Sequence, residues 1–175
     1  MGNTNTVLQA ISDRRSIRGY KPEQISGGEL SALLKAALES PSANNAQPWH
    51  FTVVQNPKLL DEINAEVVKN LEGVSDIFYG APTVIFISSD PESRWGRIDS
   101  GIAVQTIALA AQGLGLGSVI LGLPDFAFAG DKREHFTVAL KFPQGQTFAV
   151  AIAVGYPTTT KEAHPNEPDR IDHVI

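Results

Sequence analysis

The 175-residue chain contains no cysteine, and its single methionine is Met1. Without thiols there are no disulfides, thiolate zinc sites, iron–sulfur clusters or cysteine nucleophiles. Aromatic residues make up only 7%, and none forms a ladder suited to base stacking beside a basic cluster. The net charge is −5, so no global attraction draws the chain to nucleic acid or to anionic membranes. Uninterrupted apolar runs are short: the longest greasy stretch, Ile102 to Leu123, is broken by Gln105, Gln112 and four glycines. No membrane span is expected from it. The first ten residues, MGNTNTVLQA, lack the basic start and apolar core of a secretion signal, so the expected location is cytoplasmic.

Standard catalytic equipment is missing too. There is no phosphate loop ending in Gly-Lys-Ser/Thr and no nucleophile elbow. The histidines, His50, His135, His164 and His173, show no helical i, i+4 pair with an intervening glutamate, and no metal site is expected. Asp76, Asp90, Asp99 and Asp125 have no partner that the sequence identifies. A chain without chemistry of its own points to a borrowed cofactor.

What is present fits one domain over residues 1–175 with a substantial core, since 42% of residues are hydrophobic and 19% charged. A short helix is expected over Val7–Asp13 with Thr6 as its cap. Ser26-Gly27-Gly28-Glu29 has capping-box spacing, and Leu30, Leu33, Leu34, Ala37 and Leu38 share the face of a helix ending near Ser40. Pro41 ends it. Strands are expected at Trp49–Gln55, Thr83–Ser88, Ser118–Leu121 and Phe148–Val154, with helices after Asn56-Pro57, over Ile98–Gln112 and over Asp131–Leu140. Interleaved helices and buried strands predict a sheet covered on both faces. The polar tail after Pro157 closes with Ile171, Val174 and Ile175; it either frays or lies along another subunit.

Two polar segments stand out. Arg14-Arg15-Ser16-Ile17-Arg18-Gly19-Tyr20-Lys21 concentrates four of the 14 Lys and Arg residues. Guanidinium forks, a hydroxyl and turn amides suit a phosphate, although cations after a helix also simply suit its dipole. Pro41-Ser42-Ala43-Asn44-Asn45-Ala46-Gln47-Pro48-Trp49 offers donors and acceptors together, as a heterocycle edge requires. Alone, it reads first as a structured turn leading to a core tryptophan. A third segment, Gly113-Leu114-Gly115-Leu116-Gly117-Ser118, is not a dinucleotide fingerprint, because the glycines follow a helix and precede a strand, the reverse of the required order. Helix capping and close packing explain them.

Taken together, the two polar segments resemble the nitroreductase family, as do Asp99-Ser-Gly-Ile-Ala-x-Gln, the glycine-rich turn and Val154-Gly-Tyr-Pro. The resemblance covers residues 7 to 157. It implies an α+β fold, an α/β/α sandwich with a mainly antiparallel sheet, in an intertwined homodimer with two FMN sites built from both subunits. By position, Arg14 and Ser16 would hold the FMN phosphate with Arg15 close by. Arg18 would sit at the pyrimidine edge, where a fixed cation suits the charge of reduced flavin. Ser42, Ala43, Asn45 and Gln47 would reach the cofactor from the partner, and Asn44 would face the substrate. The backbone of Leu121 and Gly122 would pass the hydride-accepting side. Relatives often end with a Lys/Arg pair that completes the phosphate site; of Lys161, His164 and Arg170, the first two would take that place here, and residues 158–175 would pack on the partner subunit. The implied activity is NAD(P)H-dependent, ping-pong electron transfer to nitroaromatics, quinones or related acceptors, with no side-chain catalyst. Alternatives are flavin fragmentation or dehalogenation on the same fold, or a non-redox module that grips a phosphorylated ligand.

Overall fold

Four runs of β-branched and aromatic residues pair into one antiparallel sheet: β1 (Trp49–Val54), β2 (Thr83–Ser89), β3 (Gly117–Leu121) and β4 (Thr147–Gly155). Their spatial order is β1-β2-β4-β3. The computed structural model describes residues 6–69, 71–165 and 167–174. β2, central and buried at every position, is apolar on both faces, as expected of a strand covered on both sides. Val84 and Phe86 point into one core with Leu60, Ile63, Val67 and Phe136, while Ile85 and Ile87 enter the other with Leu33, Ala103 and Ile107. The first core lies under α3 (Pro57–Val68), α5 (Asp125–Ala129) and α6 (Arg133–Ala139). The second lies under α2 (Gly27–Leu38) and α4 (Gly96–Gly113), with α1 (Thr6–Asp13) against α4.

One bulge alters the alternation. The register steps from Ile87↔Val150 to Ser88↔Phe148, leaving Ala149 without an opposite residue. The extra residue turns Phe148 into the first core, where it stacks on Phe128 at 5.1 Å and 7° between planes. Phe136, fully buried, closes the same aromatic group. Phe136→Ala is expected to cost about 3–5 kcal/mol, the transfer and cavity terms together. Denaturant unfolding at fixed protein concentration measures it, and a loss below about 1 kcal/mol would deny that this face is close-packed.

Local signals placed most boundaries. Ser26 Oγ accepts from Glu29 N–H at 3.2 Å, and Ser26 N–H donates to Glu29 Oε2 at 2.7 Å, completing the capping box of α2. Tyr156 Oη–H donates to the same oxygen at 2.8 Å. These bonds, those from Ser26 foremost, hold the Glu29 carboxyl below its ordinary pKa. Their stabilisation is therefore present above the unfolded carboxylate range and lost as pH falls through the lowered folded value. At the far end of α4, Leu116 N–H donates to Ala111 O at 2.9 Å and Gly115 N–H to Gln112 O at 3.1 Å. With Gly115 at φ +75° this is a Schellman cap, which only glycine enters without strain.

Three expectations need correction. Thr6 is itself helical, within α1, and so does not cap it; the residues before it lie outside the described ones. α5 was not foreseen, because five residues are too few for a periodic signal. The helix expected over Asp131–Leu140 begins at Arg133, with Lys132 as its cap.

Candidate functional site

The basic segment follows α1 and lies against β3. Ser16 bridges Ser118, and Ile17 N–H donates to Ser118 O at 2.9 Å. Gly117 permits the approach: a Cβ there would stand 3.0 Å from both Ile17 Cγ2 and Pro157 Cβ. Farther on, Lys21 N–H donates to Tyr156 O at 2.9 Å and Thr158 N–H to Gly19 O at 3.0 Å. The Tyr20 hydroxyl donates to Ile17 O at 2.8 Å, and burial pushes its pKa well up, so it stays a neutral donor. Ser16 to Lys21 is thus a rigid extension of the sheet edge, not a loose basic arm.

That anchoring brings the tail to the arginines. Arg14, Arg15, Ser16, Lys161 and His164 line one cavity of about 470 Å³ beside α1. Arg15 is committed to backbone: its guanidinium donates to Ser12 O at 2.6 Å, Arg14 O at 2.9 Å and Lys161 O at 3.2 Å. It ties the tail down. By contrast, the Arg14 guanidinium, the Ser16 hydroxyl and the Lys161 ammonium have no protein partner among the described residues. A guanidinium fork, a hydroxyl and an ammonium facing one hollow are the donor set of an anion site. His164 lies beside them, its Nδ1 3.1 Å from Pro165 O.

Arg18 points elsewhere. Its guanidinium stacks 5.6 Å from the centre of the Tyr79 ring, a neighbour that the sequence did not reveal. Tyr79 sits at φ +58° because Asp76 clamps its turn, accepting from Phe78 N–H at 2.8 Å and Gly80 N–H at 2.7 Å. Residues 76–80 are therefore an ordered turn. Asn64 pins it further, accepting from Ile77 N–H and donating to Ser75 O.

The Ser42–Gln47 loop forms a 3-10 turn at Ala43–Asn45. Asn44, Asn45 and Gln47 have φ of 54°, 53° and 47°. Asparagine tolerates the left-handed region; Gln47 does so at a cost on the order of 1–3 kcal/mol. Such strain persists where surroundings over-determine it, and here they do. Gln47 N–H donates to Ser42 Oγ at 3.0 Å, and Ala43 N–H to the buried Asp99 Oδ1 at 3.1 Å. Asn44, Asn45 and Gln47 remain exposed. Leu121 is buried and Gly122 exposed where β3 ends.

The two polar segments do not meet within one chain. Trp49, where the loop ends, pairs with Ser89 at one end of β2; Ser118, beside Ser16, aligns through Val154 with Thr83 at the other. β1 and β3 are also opposite edges of the sheet. The separation is on the order of 20 Å along the strands and about 14 Å across them.

A model of the Nitroreductase family matches residues 11–156. The chain belongs to the nitroreductase family. A nitroreductase with bound FMN from Desulfitobacterium hafniense is 36% identical, with a TM-score of 0.92 over 98% of this chain and 100% of that one. An Archaeoglobus fulgidus relative, provisionally named NADH dehydrogenase/NAD(P)H nitroreductase, is 32% identical over 94% of this chain and 95% of its own length. The FMN reductase [NAD(P)H] of Bacillus subtilis is 24% identical over 97% of this chain and 73% of its own. The mixed α+β nitroreductase fold, expected from the paired motifs, is therefore established.

Two features of this nitroreductase family member bear on assembly. Ile98 and Ile102, one turn apart on α4, are 57% and 38% exposed. On α1, which packs on α4, Val7, Leu8 and Ile11 are also exposed. The tail lies against α1 as far as His164; farther on it makes a 3-10 turn at Pro168–Arg170, and Val174 is 98% exposed. No described helix is long and apolar enough to cross a membrane, and the described residues contain no cluster of metal-ligating side chains.

Proposed function

We propose that this protein is an FMN-dependent NAD(P)H oxidoreductase that acts as a homodimer, with each flavin site shared between two chains. The observation that carries the reading is the trio of unpaired donors, Arg14, Ser16 and Lys161, around one hollow, in a chain of this family. They would hold the FMN phosphate, with His164 at the rim. Arg15 acts indirectly, by fastening the Lys161 segment against the arginines. Arg18, steadied by Tyr79, would present its cation to the pyrimidine edge of the flavin.

The second chain enters for a geometric reason. Ser42, Ala43, Asn45 and Gln47 are too far from Arg14 and Ser16 to share a cofactor within one chain. Supplied by the partner, they complete the site, with Asn44 turned to the substrate. Association through the α1–α4 face buries Ile98 and Ile102; of the tail 158–175, residues 158–164 stay on their own chain and the rest packs on the partner. The exposed backbone at Gly122 leaves the hydride-accepting side free of bulk. When bound, FMN supplies the redox step, accepting hydride from NADH or NADPH and passing electrons to a nitroaromatic, quinone or related acceptor by a ping-pong sequence. Protein groups bind and orient; none forms a covalent bond.

An absorbance spectrum of the purified protein, supplemented with FMN and then reduced anaerobically with NADH or NADPH, tests this. A bound oxidised-flavin spectrum that bleaches on reduction is the expected result. Failure to bind FMN would overturn the reading and leave the Arg14 hollow to another anion.

A further inference from the structure

Asp99 lies in the first turn of α4 and is 2% exposed. Its Oδ1 accepts the Ala43 N–H at 3.1 Å. Its Oδ2, also buried, has no partner among the described residues. A carboxylate buried with half its capacity unused is expensive, and the positive end of the helix offsets only part of that cost. Asp99 does not cap the helix: no side-chain hydrogen bond caps the N-terminus of α4. What the carboxylate does hold is the loop across from it. Ala43 opens the 3-10 turn, and three of the next four residues, Asn44, Asn45 and Gln47, sit in the left-handed region. The loop's other bonds are internal, from Asn45 N–H to Ser42 O, Ala46 N–H to Ala43 O and Gln47 N–H to Ser42 Oγ. Asp99 ties this strained loop to a long helix.

We propose that Asp99 is a positioning residue for the partner subunit's flavin site, holding the Ser42–Gln47 loop in the shape that reaches across. This rests on the two-chain site proposed above. Ile98 and Ile102, the residues flanking Asp99 on α4, face outward, so one turn of helix both meets the partner and shapes the loop offered to it. Asp99 touches neither cofactor nor substrate, and its effect is felt in the other chain.

Trans-complementation tests it, read by FMN fluorescence titration. Asp99→Leu removes the acceptor at similar volume and is expected to weaken FMN binding at least tenfold in a dimer. Asp99→Asn keeps an oxygen for Ala43 N–H and stays within about threefold of wild type. Should the leucine variant not fold, Asp99→Ser, too short to reach Ala43, replaces it. The deciding experiment pairs an Asp99→Leu chain with an Arg14→Ala chain, using two affinity tags. In the mixed dimer one site has an intact arginine cluster and an intact loop, and the other has both broken. One FMN per dimer bound at near wild-type affinity, with neither homodimer binding well, is the expected result. No recovered site, or an Asp99→Leu homodimer that binds like wild type, overturns the proposal. A wild-type protein that binds no FMN, or binds it as a monomer, instead overturns the shared-flavin reading, so the two failures are distinguishable.

Discussion

Arg14→Ala weakens FMN binding by about 10- to 100-fold, the loss of a hydrogen-bonded charge contact worth roughly 1.5–3 kcal/mol. Arg14 carries this effect, and Arg15 does not, because of where the two guanidinium groups are spent. Arg15 donates to three carbonyls of its own chain, whereas Arg14 lines the hollow with no protein partner among the described residues. Arg14→Lys recovers part of the affinity, since an ammonium keeps the charge but loses the fork that matches two phosphate oxygens. Fluorescence titration at constant ionic strength measures all three proteins, because screening alone shifts such affinities. Binding within twofold of wild type in Arg14→Ala would place the phosphate elsewhere.

Ile98→Lys combined with Ile102→Lys yields a monomer that no longer binds FMN. Both side chains are exposed in the single chain, so the substitutions leave its own cores intact and the far-ultraviolet spectrum unchanged. In a two-fold dimer the face meets its own copy, so two substitutions place four ammonium groups in the interface. Burying each without a counter-ion costs several kcal/mol, enough to move dissociation from below micromolar protein to far above it. Light scattering reports the mass, and titration reports the flavin. The loss of FMN should follow the loss of the dimer, because Ser42–Gln47 and Arg14–Ser16 then lie on separate molecules. A monomer that still binds FMN tightly would show that one chain suffices, and an undisturbed dimer would move the interface off α4.

Much of the fold is legible in the sequence. The Ser26–Glu29 spacing marks the start of α2, Pro41 its end, and the apolar run at Thr83–Ser88 a strand buried on both faces. In the glycine-rich turn Gly115 is the cap and Gly117 the close approach, as that reading expects, while Gly113 is the last residue of α4 with open space about it. Other features left no local trace. α5 is too short to carry a period. The bulge opposite Ile87 and Ser88 depends on how two strands pair, not on Ala149. Tyr79 under Arg18 and Asp99 under Ala43 join residues 61 and 56 positions apart.

Taken by itself, the sequence determined the longer elements, the faces they bury and the absence of thiol chemistry. Hydrophobic period, capping residues and an absence of cysteine are local or compositional properties, and they act through burial and backbone dihedrals that each segment carries with it. Only the tertiary structure decided that Lys161 meets Arg14 and Ser16 while the Asn-rich loop lies at the diagonally opposite corner of the sheet. Strand order β1-β2-β4-β3 is a sum over long-range packing that no single segment encodes, and it separates the two polar motifs that the sequence sets side by side.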